Sequence, residues 1–273
     1  MPIMVADSVV IVGANGSGKT RLGAWFELTS PQYKIVHRVG AQKSLRFPSS
    51  ISPISIADAR ERFIFGMNPS QLTNYRNSLG YYTEKSDIER YTIQTKVTSK
   101  WGQEPVTGLV DDFEQLLVYL ISEQYEISLD YTQQAKNNET YTKPTETKLD
   151  RIKKIWEHTI LHRQLLLKAS SILVKPTDAA EDVSYLANQM SDGERVAFYL
   201  IGQCLCVPDH SIIVVDEPEL HLHRVIQSRL WDAIEQERPD CLFIYLTHDL
   251  EFAATRNNAT KIWIKSYNGE GWE

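Results

Sequence analysis

With 273 residues, 42% of them hydrophobic, and a formal net charge of −6, the chain suffices for one large α/β domain or two small ones. The acidic balance excludes wholesale coating of nucleic acid, although a local basic patch is compatible with it. No apolar run approaches the roughly 18 residues that a bilayer-crossing helix needs, and no basic stretch precedes an apolar one at the start, so no membrane contact is expected. Cys204, Cys206 and Cys241 lack the spacing of a zinc or redox pair and read as reduced core thiols of a cytoplasmic protein.

The first predicted strand is the apolar run Val9-Val10-Ile11-Val12. It feeds Gly13-Ala14-Asn15-Gly16-Ser17-Gly18-Lys19-Thr20, a G-x-x-x-x-G-K-T phosphate loop of the Walker A pattern. Glycines allow successive backbone N–H groups to turn into one concavity, and the positive end of the following helix adds to that nest. In this pattern Lys19 reaches the outer phosphates and the Thr20 hydroxyl holds Mg²⁺, so ATP and Mg²⁺ are the implied ligands. The helix over 19–28 places Leu22, Trp25 and Phe26 on one side, and a strand over 33–39 follows. If the two strands are parallel neighbours, the loop after the second one shares an edge with the phosphate loop, and Gln42 becomes a candidate to touch Mg²⁺ or an attacking water.

From about residue 47 the periodicity changes to that of an inserted, mainly helical lobe. Helices are predicted over 54–65, 70–82 and 108–126, the last with Phe113, Leu116, Leu117, Leu120 and Ile121 on one face. A polar turn over 137–144 leads to a helix over 147–165 bearing Lys148, Arg151, Lys153, Lys154 and Arg163. Such a face either meets a phosphate backbone or is simply solvated, the second being commoner. His158 and His162 stand four apart on that helix, but Thr159 occupies the position where a zinc-protease helix carries glutamate, so a solvated or packed pair is the better reading.

Strand-like sequence returns over 165–174, and a second group of motifs follows. Ser191-Asp192-Gly193-Glu194 opens the apolar helix 196–206 with the spacing of a capping box. Ile212-Ile213-Val214-Val215-Asp216-Glu217-Pro218 is a buried strand ending in two carboxylates, which are costly there without a cation. Asp216 suits a Mg²⁺ shell, and Glu217 suits a general base toward water. A helix over 221–237, a strand over 241–246 that ends in Thr247-His248-Asp249, and a last strand over 260–267 complete the chain; His248 suits a γ-phosphate contact.

In this order the Walker A loop, Gln42, Ser191 to Glu194, Val214 to Pro218 and Thr247 to Asp249 resemble an ABC-type ATPase head. Asp216-Glu217-Pro218-Glu219-Leu220-His221-Leu222-His223 is most similar to the OLD-like and RecF/SMC-like branch. The resemblance implies a P-loop α/β fold with a mixed sheet, its core formed by 1–46 and 165–273 and its helical lobe by 47–164. It also implies a homodimer or higher oligomer with ATP at the interface, in which Ser191, Gly193 and Glu194 act on a neighbour's nucleotide. Catalysis is expected to fall to Lys19, Glu217 and His248, and hydrolysis to be slow and regulatory. Asp192 and Glu194 depart from the common Leu-Ser-Gly-Gly-Gln form, which implies weaker or triggered dimerisation. ATPases of this kind are similar to components of bacterial anti-phage systems that control a nuclease or toxin, here either a separate protein or one fused beyond the end shown. The alternative is a DNA-repair or clamp ATPase that acts on DNA; a transporter subunit fits less well with His221-Leu222-His223.

Overall fold

The computed structural model describes residues 8–48, 50–67, 85–137, 144–168, 171–180 and 183–273. The helix expected over 70–82 and most of the turn over 137–144 lie outside these. The chain forms two compact units, one of residues 1–43, 105–107 and 207–273, the other of 44–104 and 108–206.

The first unit is an α/β layer of P-loop type. β1 (Ser8–Gly13) is buried along its whole length, as its unbroken apolar run requires of a strand covered on both faces. It is followed by α1 (Lys19–Leu28), β2 (Val36–Val39), β6 (Ile212–Asp216), α7 (Arg224–Glu237), β7 (Leu242–Thr247), α8 (Leu250–Thr255) and β8 (Thr260–Ile264). The five strands lie in the order β2-β6-β7-β1-β8, and every pairing is parallel. β1 and β2 are therefore not neighbours, because β6 and β7 stand between them; nothing in either strand's own residues specifies its partner. Val9, Ile11, Leu22, Val214, Ile244 and Leu246 form one apolar cluster between sheet and α1. Within it the buried guanidinium of Arg38 donates to Glu27 at 3.2 Å and also bonds the carbonyl of Pro105, which ties segment 105–107 to this unit.

The second unit is helical with a small sheet. Its helices are α2 (Ile56–Phe65), α3 (Lys85–Thr95), α4 (Phe113–Lys136), α5 (Lys148–Thr159) and α6 (Asp192–Leu205). β3 (Arg163–Lys168), β4 (Ser171–Pro176) and β5 (Tyr185–Leu186) make a three-stranded antiparallel sheet. The strand-like run 165–174 splits into a hairpin instead of rejoining the main sheet. Segment 165–206, expected with the ATPase core, groups here with the helices, since α6 packs on α5 and α4.

The predicted apolar face of α4 is fully buried at Phe113, Leu116, Leu117, Leu120 and Ile121. The helix starts later than expected and continues to Lys136, because the polar residues after Glu126 are good helix formers and need no buried face. α5 stops at Thr159, so His162 lies in the following turn and does not share a helix with His158.

The unit's polar centre is Asp112, which accepts hydrogen bonds from Tyr199 at 2.8 Å and Gln203 at 3.1 Å and lies 3.5 Å from the Lys100 ammonium. Burial, followed by the Asp112 charge, pushes the Tyr199 hydroxyl's pKa well up, so it stays a donor. Replacing Asp112 by Ala removes an acceptor shared by two elements, and a loss of roughly 3 kcal/mol is expected, read as a lower urea midpoint. Asp112→Asn is expected to lose less.

Candidate functional site

Parallel pairing brings the carboxyl ends of β1, β6 and β7 to one edge, with Val12 opposite Thr247 and Asp216 opposite Leu246. That edge is where open α/β sheets bind ligands. The glycines of the connecting loop are each required by geometry. Gly16 and Gly18 have φ of 81° and 88°, which disfavour side chains, and a Cβ at Gly13 would fall 2.5 Å from the Ser17 hydroxyl oxygen. The buried Lys19 ammonium donates to the carbonyls of Gly13 at 2.8 Å and Ala14 at 3.0 Å, folding back over the loop. The Ser17 hydroxyl is buried with no hydrogen-bond partner among the described residues.

Asp216 has the same feature in stronger form. It is 1% exposed, and neither carboxylate oxygen makes a hydrogen bond of ordinary geometry among the described residues, the Thr20 hydroxyl being the one donor near enough to pull on it. Burial pushes its pKa up to about 6, against the opposing pull of the Thr20 hydroxyl and of the Arg38 and Lys19 charges. A buried carboxylate with so little hydrogen bonding is expensive, and a hydrated divalent cation is the group that such oxygens suit. The residues present therefore fit Mg²⁺, with Thr20 and Asp216 as its holders. Gln42 is exposed three residues beyond the end of β2, at the same sheet edge.

Glu217 adopts φ of 50°, in the left-handed region that non-glycine residues rarely occupy, and its N–H donates to Leu246 at 2.9 Å. The turn after it is fixed by Trp231, which donates to the Pro218 carbonyl at 3.2 Å, and by Gln227, which donates to Glu219 and Leu222. Glu217 lines a cavity of about 530 Å³ together with Asn15, Lys19 and Thr20. His248 Nδ1 lies 3.8 Å from Glu217 and 3.4 Å from Glu219. Glu219, which the sequence reading passed over, accepts from Thr247 at 2.7 Å, and burial raises its pKa. Its signal was present in the motif, two positions beyond Glu217. A larger cavity, about 690 Å³, lies at the opposite strand ends beside Ser8 and Leu242, where Arg238 already satisfies Asp240.

In the second unit Ser191 is the N-cap of α6 in a complete capping box: its side chain accepts from the Glu194 N–H, and its own N–H donates to the Glu194 carboxylate at 2.8 Å. Glu194 is further engaged by Arg163 at 3.4 Å, and its carbonyl accepts from Trp156 at 3.1 Å. Ser191 and Asp192 are exposed, and Arg195 neutralises Asp192 at 2.7 Å. On α5 and beyond, Lys148 pairs with Glu123, Lys153 with Glu157 and Lys154 with Glu146.

Residues 157–254 match a family model described as "AAA domain, putative AbiEii toxin, Type IV TA system", a span that includes Ser191, Asp216 and His248 but not the phosphate loop. No curated protein matches the sequence significantly. Among solved structures, the chain is similar to an Smc head bound to the C-winged helix domain of ScpA, at 17% identity over 96% of this chain and 88% of that one, with a TM-score of 0.48. It is also similar to a nucleotide-free ATP-binding cassette from an ABC transporter, at 13% identity over 98% and 79% of the two chains, with a TM-score of 0.41. A third similarity is to an SMC ATPase studied for ATP-driven dimerisation and DNA-stimulated activation, at 19% identity over 39% and 70%, with a TM-score of 0.32.

The Asp216 carboxyl has a testable cost. Its pKa is higher folded, about 6, than the ordinary 3.8, so folding favours the protonated form; the penalty grows as pH rises between these values and is complete above them. In metal-free buffer Asp216→Asn is expected to be more stable than the parent at about pH 8, by on the order of 3 kcal/mol, with the gap closing toward pH 4 in thermal melts.

Proposed function

We propose that the protein is a regulatory ATPase that binds Mg²⁺ and ATP at the β1 loop, dimerises around the nucleotide and hydrolyses it slowly to control a nuclease or toxin effector. The observation that carries the nucleotide reading is the buried, under-satisfied Asp216 carboxylate beside the Thr20 hydroxyl at the end of the glycine loop.

In this reading the loop N–H groups and Lys19 hold the phosphates, and Lys19 exchanges its two carbonyl acceptors for phosphate oxygens. When bound between Thr20 and Asp216, Mg²⁺ supplies neutralisation of the charge that develops on the transferred phosphoryl group. Glu217 orients the attacking water and accepts its proton, and the strained turn fixes where its carboxylate points. His248, exposed and between two carboxylates, contacts the γ-phosphate, and Glu219 with Thr247 positions the strand end that carries it. Gln42 completes the water or metal contacts from β2's edge.

Support for dimerisation comes from Ser191. Its oxygen accepts from Glu194, which leaves its O–H to donate outward at a helix N-terminus, where a neighbour's γ-phosphate is favoured. Gly193 adds close backbone approach, and Glu194 acts by holding the cap rather than by meeting phosphate directly. The matching family model over 157–254, described as an AAA domain of a putative AbiEii toxin of a type IV TA system, supports a link to a toxin system. The DNA-clamp alternative, which would use the basic stretches 34–46 and 148–154, is weaker, because the lysines of the second are paired with carboxylates.

Glu217→Gln keeps the shape of the site and removes the base. ATP turnover is expected to fall at least a hundredfold. The dimer is expected to persist in sedimentation experiments with Mg²⁺ and ATP and to dissociate without them. Turnover at the parental rate would overturn the assignment.

A further inference from the structure

The cavity above the phosphate loop has a wall that the phosphate chemistry does not use. After β8 the chain folds into a hairpin, with the Lys265 N–H donating to Glu273 at 2.7 Å and the Glu273 N–H donating to Ser266 at 3.0 Å. Its turn is set by Gly269, at φ of 98°, and by the Asn268 side chain, which accepts from the N–H groups of Glu270 and Gly271. Tyr267 and Trp272 sit opposite one another across it, ring centroids 4.8 Å apart.

The hairpin is fastened to the phosphate loop itself. The Trp272 indole donates to the Gly18 carbonyl at 3.1 Å, and Tyr267 approaches Gly18 so closely that a Cβ there would stand 2.8 Å from the Tyr267 Cβ. The Trp272 ring packs on the apolar cluster under α1, which anchors the other side. On the accessible side, the exposed Arg21, the residue directly after Thr20, lays its guanidinium over the Tyr267 ring at 4.8 Å. Arg21, Tyr267 and Gly269 line the same 530 Å³ cavity as Lys19 and Thr20.

A triphosphate alone needs only the loop, the lysine and the metal site. A half-buried aromatic ring with a planar cation stacked on it, rigidly tied to the loop and opening into its cavity, suits a planar heterocycle joined to that triphosphate. We propose that Arg21 and Tyr267 form the nucleobase subsite, on which the purine of a nucleoside triphosphate packs. The proposal rests on the nucleotide reading above and deepens it: the aromatic surface comes from the hairpin after the last strand. Stacking tolerates any flat base, so little discrimination between ATP and GTP is implied.

The test compares Mg²⁺·ATP with Mg²⁺·tripolyphosphate, which carries the phosphates without the base, by calorimetric titration of the full chain. Tyr267→Ala is expected to weaken ATP binding about tenfold, the usual size of one base stack, and to leave tripolyphosphate within about twofold. Tyr267→Phe, which keeps the ring and loses only its hydroxyl's bond to the Gly269 carbonyl, is expected to bind both like the parent. Equal losses for both ligands in Tyr267→Ala would show that the ring merely props the loop, and unchanged ATP affinity would remove the subsite; either result overturns the proposal. If the parent binds tripolyphosphate as tightly as ATP, the base subsite falls while the phosphate site stands. If the parent binds neither, the nucleotide reading falls and takes the subsite with it.

Discussion

Everything at the site depends on one costly arrangement: the Asp216 carboxylate buried at the end of a central parallel strand with only the Thr20 hydroxyl near enough to favour its charge among hydrogen-bond donors. Burial alone would protonate or expel such a group, and it persists because the strands on either side hold it in place. The same parallel pairing sets the glycine loop, Asp216, Glu217 and His248 at that edge, so one sheet brings together the groups to which the proposed function assigns phosphate, metal and water. Strain at Glu217 belongs to the same economy, since a left-handed residue is tolerated only where Trp231 and Gln227 pin the turn.

The second unit devotes its polar groups to presenting a helix start. Glu194 is committed three times over, to Ser191, to Arg163 and to Trp156, and this leaves Ser191 exposed on a rigid helix end. The acidic departures from the common signature are explained locally: Glu194 completes the capping box, and Asp192 is matched by Arg195. Neither carboxylate is left as a bare charge.

The parts of the site legible from sequence are those that local backbone chemistry dictates. Gly16 and Gly18 announce left-handed turns, Ser191 with Glu194 announces a cap, and a run of β-branched residues ending in Asp216 announces a buried strand. What could not be read depends on partners distant in the chain. Strand order placed β6 and β7 between β1 and β2, a matter of tertiary packing that no strand encodes alone. Tyr267 falls at the end of the last expected strand, and what it and Trp272 do comes from contact with Gly18 and Arg21, some 250 residues earlier in the chain. The basic residues after 147 read as a solvated face sooner than a phosphate-binding one, but their pairing with Glu123, Glu146 and Glu157 was not legible. Helix ends were also misjudged where polar helix formers extend α4 and where α5 stops short of His162.

The central claim is that the β1 loop and Asp216 together hold a metal-bound triphosphate. It is tested most directly by titrating ATP, with Mg²⁺ and with EDTA, into the parent protein and into Lys19→Ala. Binding that needs Mg²⁺ in the parent and disappears in Lys19→Ala is the predicted result; parental ATP affinity in Lys19→Ala would contradict it.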